Sequence, residues 1–246
     1  MPSDWDAATY DRVSDPQARW ATVVVERIEG APTAILDAGC GTGRVTELLL
    51  ERFPDAHVIG VDASAAMIDE ARRRLERHDA RVTLLHQSLL RLVPFRVDAV
   101  FSNAVFHWID DHGLLFTNLV ECLAPGGQLV AQWGGSGNVA RMLAAVDTLG
   151  VPGPHPRRFA TPEETAERLR RAGFTDIRTW LHDEPADFAT RAAFEEYLRT
   201  VCLRCHLDLL EPGERDAFVH AVAERLPDRR IDYVRINATA RRSLNA

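Results

Sequence analysis

Ala34-Ile-Leu-Asp-Ala-Gly-Cys-Gly-Thr-Gly43 runs an apolar strand straight into three alternate glycines, Gly39, Gly41 and Gly43. Glycine lacks the Cβ that would bar a ligand or a positive φ, and the helical pattern that follows, Arg44 to Arg52, offers its N-terminal N–H groups. A second apolar strand, His57-Val-Ile-Gly-Val61, ends in Asp62, close to the spacing at which an acid receives ribose hydroxyls in nucleotide-binding βαβ units. Beyond it, apolar strands keep alternating with helical patterns, which predicts a doubly wound α/β sheet with helices on both faces. The expected order is a helix from about Pro16 to Glu29, strand 34–38, helix 44–52, strand 57–61, helix 64–77, then strands 81–86 and 97–102. Helix 111–123, strand 127–133, helices 138–149 and 162–172, and a last strand pair, Asp176–His182 with Asp232–Ala240, complete seven strands.

The glycine spacing separates two nucleotide readings. A dinucleotide site favours G-x-G-x-x-G over a pyrophosphate, whereas this chain has G-x-G-x-G with Asp37 two residues upstream. A carboxylate there repels pyrophosphate and suits a cationic ligand, such as the amino acid end and sulfonium of S-adenosylmethionine. These residues resemble the first motif of the class I S-adenosylmethionine-dependent methyltransferases, acid-x-Gly-x-Gly-x-Gly. The resemblance implies S-adenosyl-L-methionine as cofactor and a Rossmann-like, mostly parallel seven-stranded sheet.

Ligands of open α/β sheets bind outside the carboxyl ends of the strands, so the strand ends carry the candidate site. Asp37, Gly39, Gly41 and Gly43 come from the first strand; Asp62 and Ala63 end the second. Met67, one turn further on, packs on an adenine face or fills the core. After the third strand the family often has an Asp for the adenine amine, but this chain reads Leu85-His-Gln-Ser-Leu-Leu90. There Ser88 or the Gln87 carbonyl is left to accept, with the Leu89 N–H reaching the ring. The fourth strand delivers Asn103-Ala-Val-Phe-His-Trp108, with Asn103 beside the methionine part and Phe106, His107 and Trp108 facing the acceptor.

The resemblance narrows to the trans-aconitate methyltransferase branch through Trp5-Asp6 and Tyr10, Asp62-Ala-Ser-Ala-Ala-Met67, Ser102–Trp108, Leu203-Arg-Cys-His-Leu-Asp208, Glu211-Pro-Gly-Glu-Arg215 and the final strand from Tyr233. It implies a methyl ester made on a carboxylate of a small organic acid. Cationic donors should hold such an acid: Arg204 in the insertion first, His107 as donor, and Arg199 or Arg235 as helpers, while the aromatic Phe106, Trp108 and Trp133 keep acceptors of another class open. Two rivals stay open. One is methylation of a hydroxyl or amine, on a secondary metabolite or carrier-bound acid, with His107 as base; the other is a non-catalytic S-adenosylmethionine-binding protein.

The domain division expected is one methyltransferase domain over 1–246, with its core in 30–182 and 230–246, an N-terminal lid in 1–29 carrying Tyr10 over the cofactor, and a helical cap in 187–226. A chain of 246 residues buries roughly three quarters of its unfolded surface. A net charge of −7 without an uninterrupted basic tract argues against nucleic acid, and no run of eighteen apolar residues or signal-like start argues against membrane and export. A small-molecule partner and a cytoplasmic location are therefore expected. Cys202-Leu-Arg-Cys205 falls in a helical pattern with no second such pair, so structural thiols are expected there rather than a metal site.

Overall fold

The computed structural model describes residues 15–151 and 159–244, so the expected contributions of Trp5, Asp6 and Tyr10 lie outside the described residues. Among the described residues, α1 (Asp15–Val25), α2 (Arg44–Arg52), α3 (Ala65–Leu75), α4 (His112–Cys122), α5 (Ala140–Asp147) and α6 (Pro162–Arg171) surround strands β1 (Ala34–Ala38), β2 (His57–Asp62), β3 (Val82–His86), β4 (Val97–Asn103), β5 (Leu123–Gly134) and β6 (Phe174–Asp183). A two-residue ladder of β7 (Ala186–Asp187) with β8 (Arg230–Ile231) brackets α7 (Arg191–Tyr197), α8 (Arg204–Leu207) and α9 (Arg215–Glu224), and β9 (Val234–Arg242) returns to the sheet.

The main sheet has seven strands in the order β3-β2-β1-β4-β5-β9-β6. Six run in one direction, and β9 alone is reversed, entering antiparallel to both β5 and β6. Strand residues alternate between two apolar layers. Leu36, Val100 and Leu129 pack with α4 residues Phe116 and Leu119 on one face, while their neighbours Ile35, Phe101 and Val130 pack with Val24, Leu49 and Leu50 on the other. Burial on both faces is what makes these strands near-continuous apolar runs. The order reverses between β1 and β4, which opens a crevice at their carboxyl ends.

Several boundaries differ from the sequence expectation for local reasons. The helix expected to reach residue 77 is α-helical only to Leu75 and tightens into 3-10 turns over Glu76–Arg81. β5 begins at Leu123 rather than 127, because its pairing to β4 jumps from Val97↔Leu123 to Ala99↔Gln128 and loops out the Pro125-Gly-Gly turn. Within the expected helical cap, α7 and α8 are separated by a π-helical turn, Leu198–Cys202, and a bend at Leu203. A further buried cluster joins this helical segment to α5 and to Trp20 of α1.

Candidate active site

At the end of β1 the chain turns under tight constraint. The N–H groups of Gly39 and Cys40 both donate to the Val61 carbonyl, at 2.8 and 3.0 Å, locking the turn to β2. A Cβ on Gly39 would sit 2.3 Å from Val105 Cγ2, so the loop after β4 is pressed directly onto this glycine. Gly41 differs: with φ +53°, its missing Cβ would meet nothing within 4 Å, and it faces a cavity. Gly43 instead makes room for α3, where Leu75 Cδ1 would lie 2.9 Å away.

Asp62 stands opposite. Its two carboxylate oxygens accept the Gly41 N–H at 3.0 Å and the Ser64 N–H at 2.9 Å. Burial raises its pKa, and the bonds from Ser64, Gly41 and Ala63 oppose that rise. Asp37 lies beneath the turn rather than on the cavity wall, with its carboxylate accepting from Thr46 Oγ1 at 2.6 Å. Burial pushes the Asp37 carboxyl up to about 7, against the lowering effect of Thr46. Thr46 carries no motif of its own, and the sequence reading missed it.

The cavity has a volume of about 750 Å³ and lies across the carboxyl ends of the strands. One end is formed by Asp62, Ala63, Met67, Ser88 and Leu89, and its middle by Gly39, Gly41 and Asn103. Ser88 Oγ accepts the Leu90 N–H at 3.3 Å and so also caps a short 3-10 turn. The far end brings in His107, Trp108, Asn138, Tyr233 and Arg235, with Val201 and Cys202 from the π-helical turn. Asn138, Tyr233, Val201 and Cys202 were not expected there. The Gly134-Gly-Ser-Gly-Asn138 run after β5, which marks a close turn, was an available signal for Asn138.

Four expected acceptor-side residues fall elsewhere. Phe106 and Trp133 are fully buried and pack against each other at 5.0 Å in the core behind the wall. Arg199 faces solvent in an ion pair with Asp216 at 2.6 Å, and Arg204 is half-buried away from the cavity lining. Val201 and Cys202 of the π-helical turn line the cavity in their place.

Two donors do reach the far end. The Gly134 N–H donates to His107 Nδ1 at 3.3 Å, and because a backbone N–H only donates, the neutral ring carries its proton on Nε2. His107 therefore presents a donor, with its ring 5.0 Å from that of Trp108. Arg235 is only 2% exposed; its guanidinium lies 4.6 Å from the centre of the Trp20 ring, and its Nε donates to Gln132 Oε1 at 3.4 Å. Because β9 is antiparallel, its first residues arrive at the same edge as the ends of β1, β2 and β4.

Comparison with known proteins agrees with this geometry. Residues 35–127 match a family model described as a methyltransferase domain. The trans-aconitate 2-methyltransferase of Methylobacterium radiotolerans is 34% identical, with 92% of each chain covered, and that of Acidovorax ebreus is 32% identical over 91% of this chain and 89% of its own. Among solved structures, phosphoethanolamine N-methyltransferase 2 of Haemonchus contortus, in complex with S-adenosylhomocysteine, superposes with a TM-score of 0.64 at 20% identity. It covers 96% of this chain, which spans 56% of that longer one. The YcgJ protein of Bacillus subtilis also gives 0.64, at 13% identity and with 92% and 98% of the two chains covered. No helix among the described residues is long and apolar enough to cross a membrane. The glycine turn facing open space and the amide-clamped acid beside it are a fit for S-adenosyl-L-methionine as cofactor. With relatives matched over nine tenths of its length, the chain belongs to the S-adenosylmethionine-dependent methyltransferases, in the branch that holds the trans-aconitate 2-methyltransferases.

Proposed function

We propose that the enzyme methylates a carboxylate oxygen of a small organic acid carrying more than one carboxylate, as the names of its relatives indicate for them. The observation that carries this reading is the tautomer of His107. With Nδ1 occupied by the Gly134 N–H, the ring offers a proton at Nε2, which a carboxylate accepts and which a hydroxyl or ammonium acceptor awaiting a base cannot use. Arg235, buried at the same end of the cavity, adds a cation of the geometry that suits a second carboxylate.

On this reading Asp62 holds the ribose hydroxyls, Gly41 leaves room for the cofactor backbone, and Met67, Ala63, Ser88 and Leu89 border the adenine. Asn103 lies beside the methionine part, and Asp37 supplies negative charge beneath the turn. When bound, the cofactor supplies a methyl carbon on positively charged sulfur, and its transfer to a carboxylate leaves an ester and a neutral thioether without moving a proton. The protein's work is alignment and exclusion of water, with Arg235 and His107 fixing the acceptor and Trp108 forming part of the wall. Residues 187–226 form the proposed roof over the acceptor end, and the residues ahead of α1, with Tyr10, the proposed lid on the cofactor side; α1 itself, expected to belong to that lid, packs into the core through Val24 and Val25 and meets Arg235 through Trp20. Free thiols at all four cysteines suit a reducing compartment, and the cytoplasm is the proposed location.

The test is methyl transfer from labelled cofactor to a panel of di- and tricarboxylic acids, phenols and amines. A product that mild alkali returns to the parent acid is expected, with kcat flat above pH 7 at saturating cofactor. An alkali-stable ether or N-methyl product would overturn the reading.

A further inference from the structure

The sheet face beneath Arg235 carries polar residues where the opposite face carries core. Gln132 of β5 pairs directly with Asn237 of β9, and Arg235 pairs with His182 of β6, so these four side chains project from one face. Their neighbours Trp133, Ile236 and Leu181 belong to the apolar layer on the other. The four are bonded in line. Arg235 Nε donates to Gln132 Oε1 at 3.4 Å, Gln132 Nε2 to Asn237 Oδ1 at 2.9 Å, Asn237 Nδ2 to His182 Nδ1 at 3.0 Å, and His182 Nε2 to Glu184 Oε2 at 2.8 Å.

The direction of every bond is fixed by chemistry. Guanidinium groups only donate, so the Gln132 atom facing Arg235 is its oxygen. Arg27 Nη1 also donates to Asn237 Oδ1, which fixes the second amide in the same sense. Asn237 then meets His182 with N–H, the ring accepts on Nδ1, and the proton on Nε2 points at the Glu184 carboxylate. All the dipoles are aligned, with the anionic end on half-exposed Glu184 and the cationic end on buried Arg235. Aligned bonds polarise one another, so the carboxylate's charge supports the guanidinium from a distance.

We infer that Gln132, Asn237 and His182 are positioning residues for acceptor binding: a hydrogen-bond line from Glu184 sets the angle at which Arg235 meets a substrate carboxylate. The Trp20 ring holds the guanidinium from its face while Gln132 holds it from Nε, and together they leave the fork one orientation. The inference rests on Arg235 as the carboxylate donor. The outer half of the line, His182 and Glu184, borders a second, smaller cavity of about 270 Å³, so substitutions there disturb little packing.

The experiment compares steady-state kinetics of full-length His182→Phe, which breaks the line, with His182→Gln, whose amide both accepts and donates. His182→Phe is expected to raise the KM of the acid acceptor three- to tenfold with kcat and S-adenosylhomocysteine affinity within twofold, and His182→Gln to restore KM to within twofold of the parent. That split is the sign of an interaction equally strong before and during transfer. Gln132→Leu should reproduce the KM effect; where it fails to fold, the His182 pair carries the test. In an Arg235→Ala background, His182→Phe should change nothing further. An unchanged KM in His182→Phe, no rescue by glutamine, or the same rise without Arg235 would overturn the inference while leaving the acceptor assignment standing. If Arg235→Ala alone leaves the acid's KM unchanged, the acceptor assignment of Arg235 falls and the line loses its purpose with it.

Discussion

A methyl group added at Gly41 would project into open space, whereas one added at Gly39 would strike Val105. The two substitutions should therefore fail differently. Gly41→Ala is expected to weaken cofactor binding at least tenfold in calorimetry while lowering stability by only about 1–2 kcal/mol of left-handed strain. Gly39→Ala adds overpacking to strain and is expected to cost about 3 kcal/mol or more, seen as a large fall in Tm. Asp37 gives a second prediction at this scale. Its carboxyl titrates at about 7 in the folded chain and at about 4 when unfolded, so the unligated protein should lose stability as pH rises between those values. Asp37→Asn should flatten the dependence of Tm on pH and raise Tm at pH 8. Cofactor affinity should change in the opposite sense, falling by up to tenfold per unit as pH drops below about 7, because the ionised form is the one that attracts a cation. A Tm that rises with pH across that interval would contradict the assignment. The cofactor side was legible in the sequence because its chemistry is local: Gly39, Gly41 and Asp62 are tied to one another by spacing within a single βαβ unit.

Elements carried less of the site in plain view. The π-helical turn at Leu198–Cys202 shifts helical phase, which turns Val201 and Cys202 toward the cavity and leaves Arg199 and Arg204 off its wall. A pattern of types along the chain does not register an extra residue in a turn, so an arginine in the right segment was expected to point inward. Phe106 and Trp133 read as pocket aromatics from their place at strand ends, yet the aromatic layer between β5 and α4 claims both. Helix ends, by contrast, are written locally. At the start of α6, Thr161 Oγ1 accepts the Glu164 N–H at 3.2 Å and the Glu164 carboxylate accepts the Thr161 N–H at 3.3 Å, with Pro162 next in line. Thr161→Ala is expected to lower stability by about 1 kcal/mol, a fall in Tm of about 2–4 °C by calorimetry, with kcat/KM unchanged.

For the whole molecule, the cavity is walled by β1, β2, β4, the first residues of β9 and the π-helical turn, so a ligand filling it ties together segments far apart in sequence. S-adenosylhomocysteine at one hundred times its Kd should add about 2.7 kcal/mol to the unfolding free energy, raising Tm by about 5–10 °C. A shift absent at that concentration would mean that the compound does not bind the folded state. The doubly wound, mostly parallel sheet followed from βα alternation, but the antiparallel entry of β9 brings Tyr233 and Arg235 into the site by register, which emerges only once the strands are paired. That entry has one more outcome. A strand that starts at the catalytic edge must finish at the opposite rim: there the Arg242 guanidinium clasps the Val120 and Leu123 carbonyls, Arg241 pairs with Glu29, and Leu244 rests by Gly126. Tethering the enzyme to a bead or sensor chip through a label at Leu244 should leave the mouth turned toward the reagent stream.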